Sequence, residues 1–149
     1  MIIVLSPADQ TIIDSARRQS TNDHRIYGDI YVMGEYIPRL PGGENLFFTG
    51  HGSPPSGGDL AQIGYEDADH LGLDGLELFE NFQEIIPADR SVDVYIDACY
   101  AANVRFGSFS LIETFRSGFD VTRNGAVYGR IGAVGTLIPK PNDPSWIRA

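Results

Sequence analysis

Short runs of apolar residues, separated by polar and glycine-rich stretches, form the main pattern of this chain. The runs are rich in β-branched and aromatic residues, which is typical of strands buried on both faces of a sheet. They lie at residues 2–5, 46–49, 92–96 and 126–134. A further strand or hairpin is expected within residues 27–36. The pattern therefore predicts several buried strands distributed along the whole chain.

Three segments between these runs carry apolar residues at the three- and four-residue spacing of an amphipathic helix. The segments are residues 8–19, 73–86 and 106–119. Their expected apolar positions are Ile12, Ile13, Ala16, Leu76, Phe79, Phe82, Ile86, Phe109, Ile112 and Phe115. Pro87 should end the second helix, because proline cannot continue the helical hydrogen bonding.

The alternation of strands and helices predicts an α/β fold, a sandwich with a mostly parallel sheet. Within it, the strands at 46–49 and 92–96 should be parallel neighbours, joined by the helix at 73–86 as a crossover. Polar or Gly/Pro-rich loops are expected at 20–23, 52–58 and 63–71. The tail, residues 139–149, is expected to be irregular, with Trp146 docked on the fold.

Length and charge narrow the function classes. A chain of 149 residues fits one domain, spanning 1–149, which could be a fragment of a larger protein. The net charge of −9 argues against nucleic acid as a partner and fits a basic peptide. No apolar run is long enough for a membrane helix, and the start lacks the features of a signal peptide. We therefore expect a soluble, cytoplasmic protein, although its single cysteine does not identify the compartment.

Two reactive residue types follow two of the predicted strands. Cys99, the only cysteine, comes three positions after the run at 92–96, and His51 follows the run at 46–49 between Gly50 and Gly52. In parallel α/β sheets, ligands and chemistry gather at the carboxyl ends of strands. A cysteine can supply a nucleophile there, and an imidazole can take up its proton.

The pair of motifs, Gly50-His51-Gly52 and Asp97-Ala98-Cys99, resembles the caspase-like cysteine peptidases, which include caspases, metacaspases, legumain, gingipain, clostripain and self-cleaving toxin domains. The histidine precedes the cysteine by 48 positions, from 51 to 99, and the caspase spacing is about 50. The Asp-Ala-Cys form is closer to clostripain and metacaspases. The similarity is good over residues 44–103 and extends to the flanks only in outline.

The resemblance implies a caspase-like three-layer sandwich and a cysteine endopeptidase that acts on a peptide or protein substrate. Cys99 would be the nucleophile and His51 the proton carrier, with the backbone N–H groups of Gly52 and Cys99 as oxyanion donors. No third catalytic residue is evident, and no metal or other cofactor is implied. Ser53 belongs to the 52–58 loop, which is expected to shape substrate access.

Asp97 allows two interpretations. As in clostripain-like relatives, it could line the substrate pocket and favour a basic residue before the scissile bond. Alternatively, it could only brace the backbone of the cysteine loop. A separate cluster of two carboxylates and an imidazole, formed by Asp67, Asp69 and His70, could be considered as a metal site. Its spacing matches no metal-ligand pattern, so it is expected to be a solvated loop.

Two other function classes stay open on the sequence. The same fold could serve as a catalytically silent binding or scaffold module, although both His51 and Cys99 are present. The same dyad could also serve a thiol-dependent acyltransferase or amidase. The sequence carries no indication of oligomeric state.

Overall fold

The predicted apolar runs form a single central sheet in a computed structural model, which describes residues 1–54, 60–64, 72–104 and 108–149. The strands of this sheet are β1 (Ile2–Val4), β2 (Ile30–Val32), β3 (Leu46–Thr49), β6 (Val94–Asp97), β7 (Val127–Gly129) and β8 (Ile147–Arg148). Their order across the sheet is β2-β1-β3-β6-β7-β8. All neighbouring pairs are parallel except β7 and β8, which are antiparallel. A separate antiparallel pair consists of β4 (Gly52–Ser53) and β5 (Gln62–Ile63).

Strands β3 and β6 are the centre of the sheet, and they confirm the predicted parallel pairing. Leu46 lies opposite Val94, and Thr49 lies opposite Asp97. Because the two strands end in register, the segments that follow them leave the sheet side by side. This register is what carries the two reactive residues to one edge.

Helices cover both faces of the sheet, as the α/β prediction requires. They are α1 (Gln10–Asn22), α2 (His24–Tyr27), α3 (Gly75–Phe82) and α4 (Leu111–Thr122). Successive strand residues point to opposite faces. One core contains Ile3, Phe48 and Ile96 with the buried side chains of α3 and α4. The other contains Ile2, Phe47 and Tyr95 with those of α1, together with Trp146. The fold is thus a three-layer α/β sandwich with a mostly parallel sheet.

Helix boundaries differ from the prediction where capping residues decide them. The third predicted helix begins at residue 111, not 106, because the Ser110 hydroxyl accepts from the Glu113 N–H and the Glu113 carboxylate accepts from the Ser110 N–H. Phe109 is consequently outside the helix and 66% exposed. Residues 105–107 lie outside the described part of the chain.

The prediction of a loop at 20–23 is wrong for most of these residues. Helix α1 continues to Asn22, and the buried Ser20 hydroxyl donates to the Gly28 carbonyl at 2.6 Å. A polar residue is tolerated in this buried position because its hydrogen bond is satisfied. The second predicted helix is also shorter than expected, because α3 ends at Phe82 and turns carry the chain to Ile86.

The ends of the remaining elements were predicted only approximately. Within 27–36 the chain forms β2, a parallel edge strand and not a hairpin. The run at 126–134 stops being a strand after Gly129. The tail is not wholly irregular, because β8 pairs with β7, and Trp146 is docked as expected, with its indole N–H donating to the Lys140 carbonyl. Among the described residues, no helix is long and apolar enough to cross a membrane.

Candidate active site

The carboxyl ends of β3 and β6 open into one pocket. His51 and Cys99, which follow these two strands, both line it, as do Asp9 and Asp97. The pocket encloses about 240 Å³, and its remaining wall includes Val134, Gly135 and Thr136. The structure therefore brings the two reactive residues predicted from the sequence to the same cavity.

His51 is held at its backbone and at its ring by separate contacts. Its N–H donates to the Ser6 hydroxyl at 2.9 Å, and its carbonyl accepts from the Gly64 N–H at 2.7 Å. The ring atom Nε2 lies 2.8 Å from Oδ2 of Asp9. The side chain of His51 is about half exposed, at 51%, so the imidazole is both fixed and accessible from solvent.

Cys99 is half-buried, and its sulfur is bracketed by the backbone of Val134. The Val134 N–H donates to Sγ at 3.3 Å, and the thiol faces the Val134 carbonyl at 3.8 Å. The next residue, Tyr100, has a φ of 64° and donates its N–H to the Gly132 carbonyl. A non-glycine residue in the left-handed region is uncommon and marks a tight, specifically held turn. The segment after β7 thus fixes the position of the thiol.

Gly52 packs directly on the backbone of Cys99. A Cβ atom placed on Gly52 would lie 2.8 Å from the Cys99 nitrogen and would also collide with the Cys99 carbonyl oxygen. Only glycine permits this approach, because any side chain would separate the two loops. Ser53, the next residue, pairs with Gln62 in the small sheet. Its contact with substrate stays a prediction, and residues 55–59 of the same loop lie outside the described part.

Asp97 is almost completely buried, at 1% exposure, at the end of β6. Its Oδ1 accepts from the Arg130 guanidinium at 2.9 Å, whereas its Oδ2 has no hydrogen-bond partner among the described residues. Burial raises the pKa of Asp97 to about 6, and Arg130 partly opposes that rise. The role of Asp97 in substrate selection stays a prediction. The Arg130 guanidinium already occupies one of its oxygens.

Two residues of this site were missed in the sequence, Asp9 and Arg130. Asp9 lies inside the helix predicted at 8–19, whereas the observed helix begins directly after it, at Gln10. An aspartate at the start of a helical pattern is a common N-cap, so its local role could have been found. Nothing in the spacing links it to His51, 42 positions later. Nothing in the sequence around Arg130 indicates a functional role, because the residue lies within the strand predicted at 126–134.

The described residues contain no cluster of His, Cys, Asp and Glu that could hold a metal ion. The acidic group at 67, 69 and 70 lies outside the described residues. Comparison with protein-family models, with curated proteins and with solved structures gave no match. The site therefore has to be interpreted from its own geometry.

Proposed function

We propose that this chain is a cysteine endopeptidase in which Cys99 is the nucleophile and His51 the proton carrier. The observation that supports this most is the meeting of the two residues in one pocket, at the ends of two adjacent parallel strands. The caspase-like resemblance places the same two residue types, in the same order, after neighbouring strands.

The reaction would begin when His51 takes the proton of the Cys99 thiol and the resulting thiolate attacks the scissile carbonyl carbon, forming a C–S bond while the carbonyl electron pair moves to oxygen. Backbone N–H groups of Gly52 and Cys99 are the proposed donors to that oxyanion, and the contact between these two residues brings their backbones together. Collapse of the intermediate breaks the C–N bond, and His51 gives a proton to the leaving amine. Water then attacks the thioester carbon while His51 removes its proton, the C–S bond breaks, and the Cys99 thiolate leaves and recovers its proton from His51.

Asp97 is the proposed contact for the substrate side chain before the scissile bond. Its Oδ2 lacks a partner among the described residues, and Asp97 lines the pocket shared by Cys99 and His51. Because Oδ2 is itself buried, a lysine or arginine side chain would have to displace part of the pocket wall to donate a hydrogen bond to it. Because Oδ1 already accepts from Arg130, the preference for a basic residue should be modest in wild type and larger in Arg130→Gln, where the carboxylate lacks its internal cation.

The first experiment measures covalent labelling of Cys99 by peptidyl thiol probes, together with cleavage of a fluorogenic peptide panel. Cys99→Ala should abolish both, and His51→Ala should lower kcat/KM by about 10²- to 10⁴-fold. His24→Ala is the matched control, because His24 is also paired with a carboxylate, Asp29, at 3.0 Å. It should retain wild-type rates.

The outcomes separate the alternatives. Undiminished cleavage by His51→Ala would disprove the dyad. Labelling that depends on His51 without cleavage of any peptide would point to an amidase or acyltransferase, which small amides and added amine acceptors would reveal. Labelling that is equally slow in wild type and His51→Ala would point to a silent binding module. A wild type with no preference for Arg or Lys over Asn and Asp would refute the role of Asp97 alone.

A further inference from the structure

The turn at residues 6–9 connects the start of helix α1 to His51 in two places. Ser6 accepts the backbone N–H of His51, and Asp9 contacts its ring. The turn is itself closed by a hydrogen bond from the Asp9 N–H to the Ser6 carbonyl at 3.1 Å. Ser6 is fully buried. One short segment, closed by its own hydrogen bond, therefore holds both the main chain and the imidazole of the proposed proton carrier.

The Asp9 carboxylate uses its two oxygens for two different purposes. Oδ1 caps α1 by accepting from the N–H groups of Thr11 at 2.8 Å and Ile12 at 3.2 Å. Oδ2 contacts Nε2 of His51 at 2.8 Å. Because the cap fixes Oδ1 against the helix, the direction of Oδ2 is fixed as well. The helix cap thus fixes the carboxylate independently of its contact with the His51 ring.

An ionised carboxylate can only accept a hydrogen bond, so the imidazole must present its N–H to it. The pKa of Asp9 lies below its usual value, chiefly because the Ile12 N–H donates to the carboxylate and also because of the hydrogen bond with His51. The ring nitrogen that faces Asp9 therefore carries the proton. In the neutral ring, the other nitrogen, Nδ1, is left with a lone pair.

We propose that Asp9 is a positioning residue that fixes both the orientation and the tautomer of His51. In this arrangement Nδ1 is the atom that exchanges protons with the thiol and the leaving amine, and Asp9 stabilises the imidazolium that forms in between. The inference rests on the proposed peptidase function for its kinetic consequences, but its structural part, the tautomer, can be tested without catalysis.

The substitution Asp9→Asn separates capping from positioning. Asparagine caps helices about as well as aspartate. Because the cap needs an oxygen acceptor, the amide oxygen should take the place of Oδ1 and the NH₂ group the place of Oδ2. That NH₂ group can only donate, so Nε2 would become an acceptor and the proton would move to Nδ1. Asp9→Ala, in contrast, loses the cap but has no side-chain donor or acceptor near the His51 ring, so either ring nitrogen can carry the proton.

Asp9→Asn and Asp9→Ala should therefore rank in opposite orders for thermal stability and for catalytic activity. Asp9→Asn should be the more stable in thermal unfolding and the less active, with kcat reduced by about 10-fold or more and KM within about twofold of wild type. Asp9→Ala should be less stable but should retain more of kcat. A residue that is merely structural would give the same order in both measurements.

The direct readout is the protonation pattern of the His51 ring nitrogens, measured by ¹H–¹⁵N correlation on histidine-labelled protein at a pH where the ring is neutral. Cys99→Ala is used as the background, so that proteolysis cannot interfere, and the signal is assigned by its loss in His51→Ala. We expect Nε2–H while Asp9 is present and Nδ1–H once Asp9→Asn is added. His24, paired with Asp29, is the internal reference and should not change.

An unchanged Nε2–H signal in Asp9→Asn, with unchanged kcat, would overturn the proposal while leaving the peptidase function intact. A change of tautomer in a protein that cleaves no peptide would support the positioning of His51 and refute the proposed function instead. If Asp9→Asn does not fold, Asp9→Ser replaces it. Serine keeps a cap but is too short to reach the ring, so it should give a mixture of tautomers, and a pure Nε2–H form would contradict the proposal.

Discussion

Asp9 and Asp97 line the same pocket beside His51 and Cys99, yet the protein places them in opposite environments. The Asp9 side chain keeps 27% exposure and accepts two backbone N–H donors as well as the imidazole. Asp97 keeps 1% exposure and has one cation, Arg130, on one of its oxygens. The pKa of Asp9 is lowered by its hydrogen-bond donors, whereas burial raises that of Asp97 to about 6.

The difference fits the different tasks proposed for the two carboxyls, which are positioning of His51 for Asp9 and contact with the substrate for Asp97. Asp9 is ionised throughout the neutral range, which suits a group that must stabilise a transient imidazolium. Asp97 gains or loses its proton close to neutral pH, so its charge depends on Arg130 and on what enters the pocket. Pairs of titratable groups whose surroundings separate their pKa values are typical of sites with divided acid and base roles.

The largest expected effect comes from removing the cation that compensates Asp97. Arg130→Met should lower the free energy of unfolding by roughly 3–5 kcal/mol at pH 8, because it leaves a buried carboxylate without a counter-ion. At pH 5 the loss should be smaller, since Asp97 then takes up a proton. Urea unfolding at the two pH values gives the measurement.

The matched control is the double variant Asp97→Asn/Arg130→Met, which removes the buried charge as well as its partner. It should recover most of the stability that Arg130→Met loses at pH 8. An equal loss in both variants would show that Arg130 acts through packing and not through its charge.

The second effect is the pH dependence that Asp97 itself contributes. Its pKa is about 3.9 in an unfolded chain and about 6 in the fold. The folded state therefore binds the proton more tightly, so this contribution is fully present below about pH 4 and is lost as the pH rises through 6. The change amounts to about 3 kcal/mol. From pH 4 to pH 7, the unfolding free energy of wild type should therefore fall relative to that of Asp97→Asn.

A difference between wild type and Asp97→Asn that stays constant, or rises with pH, would contradict this account. It would mean that the Arg130 pair stabilises the ionised carboxylate by as much as, or more than, burial destabilises it. The comparison of the two aspartates would then lose its basis.

The smallest effect is the pH dependence of Asp9, and it should have the opposite sign. Its folded pKa lies below the unfolded one, so its contribution is present above about pH 4 and is lost as the pH falls through the folded pKa. It should be smaller than the change at Asp97, because the Asp9 side chain is partly exposed and solvent screens its interactions. The difference in unfolding free energy between wild type and Asp9→Asn should shrink on acidification.

Much of the fold follows from the sequence, because continuous apolar runs such as the one in Leu46–Thr49 can be buried on both faces only within a covered sheet. The same runs show where strands end, and so they predicted that His51 and Cys99 would meet at one edge. Some boundaries were missed although they are local: the Ser110–Glu113 and Asp74–Glu77 pairs are capping boxes that mark helix starts within four residues.

The partners of the site were decided by tertiary structure alone. Asp9 meets His51 across 42 positions, and Arg130 meets Asp97 across 33. Neither pair has a sequence spacing that could reveal it, because each depends on how a loop crosses the edge of the sheet. The identity and position of the two reactive residues could thus be predicted from local patterns. Their electrostatic surroundings could not, since burial and counter-ions exist only once distant segments pack together.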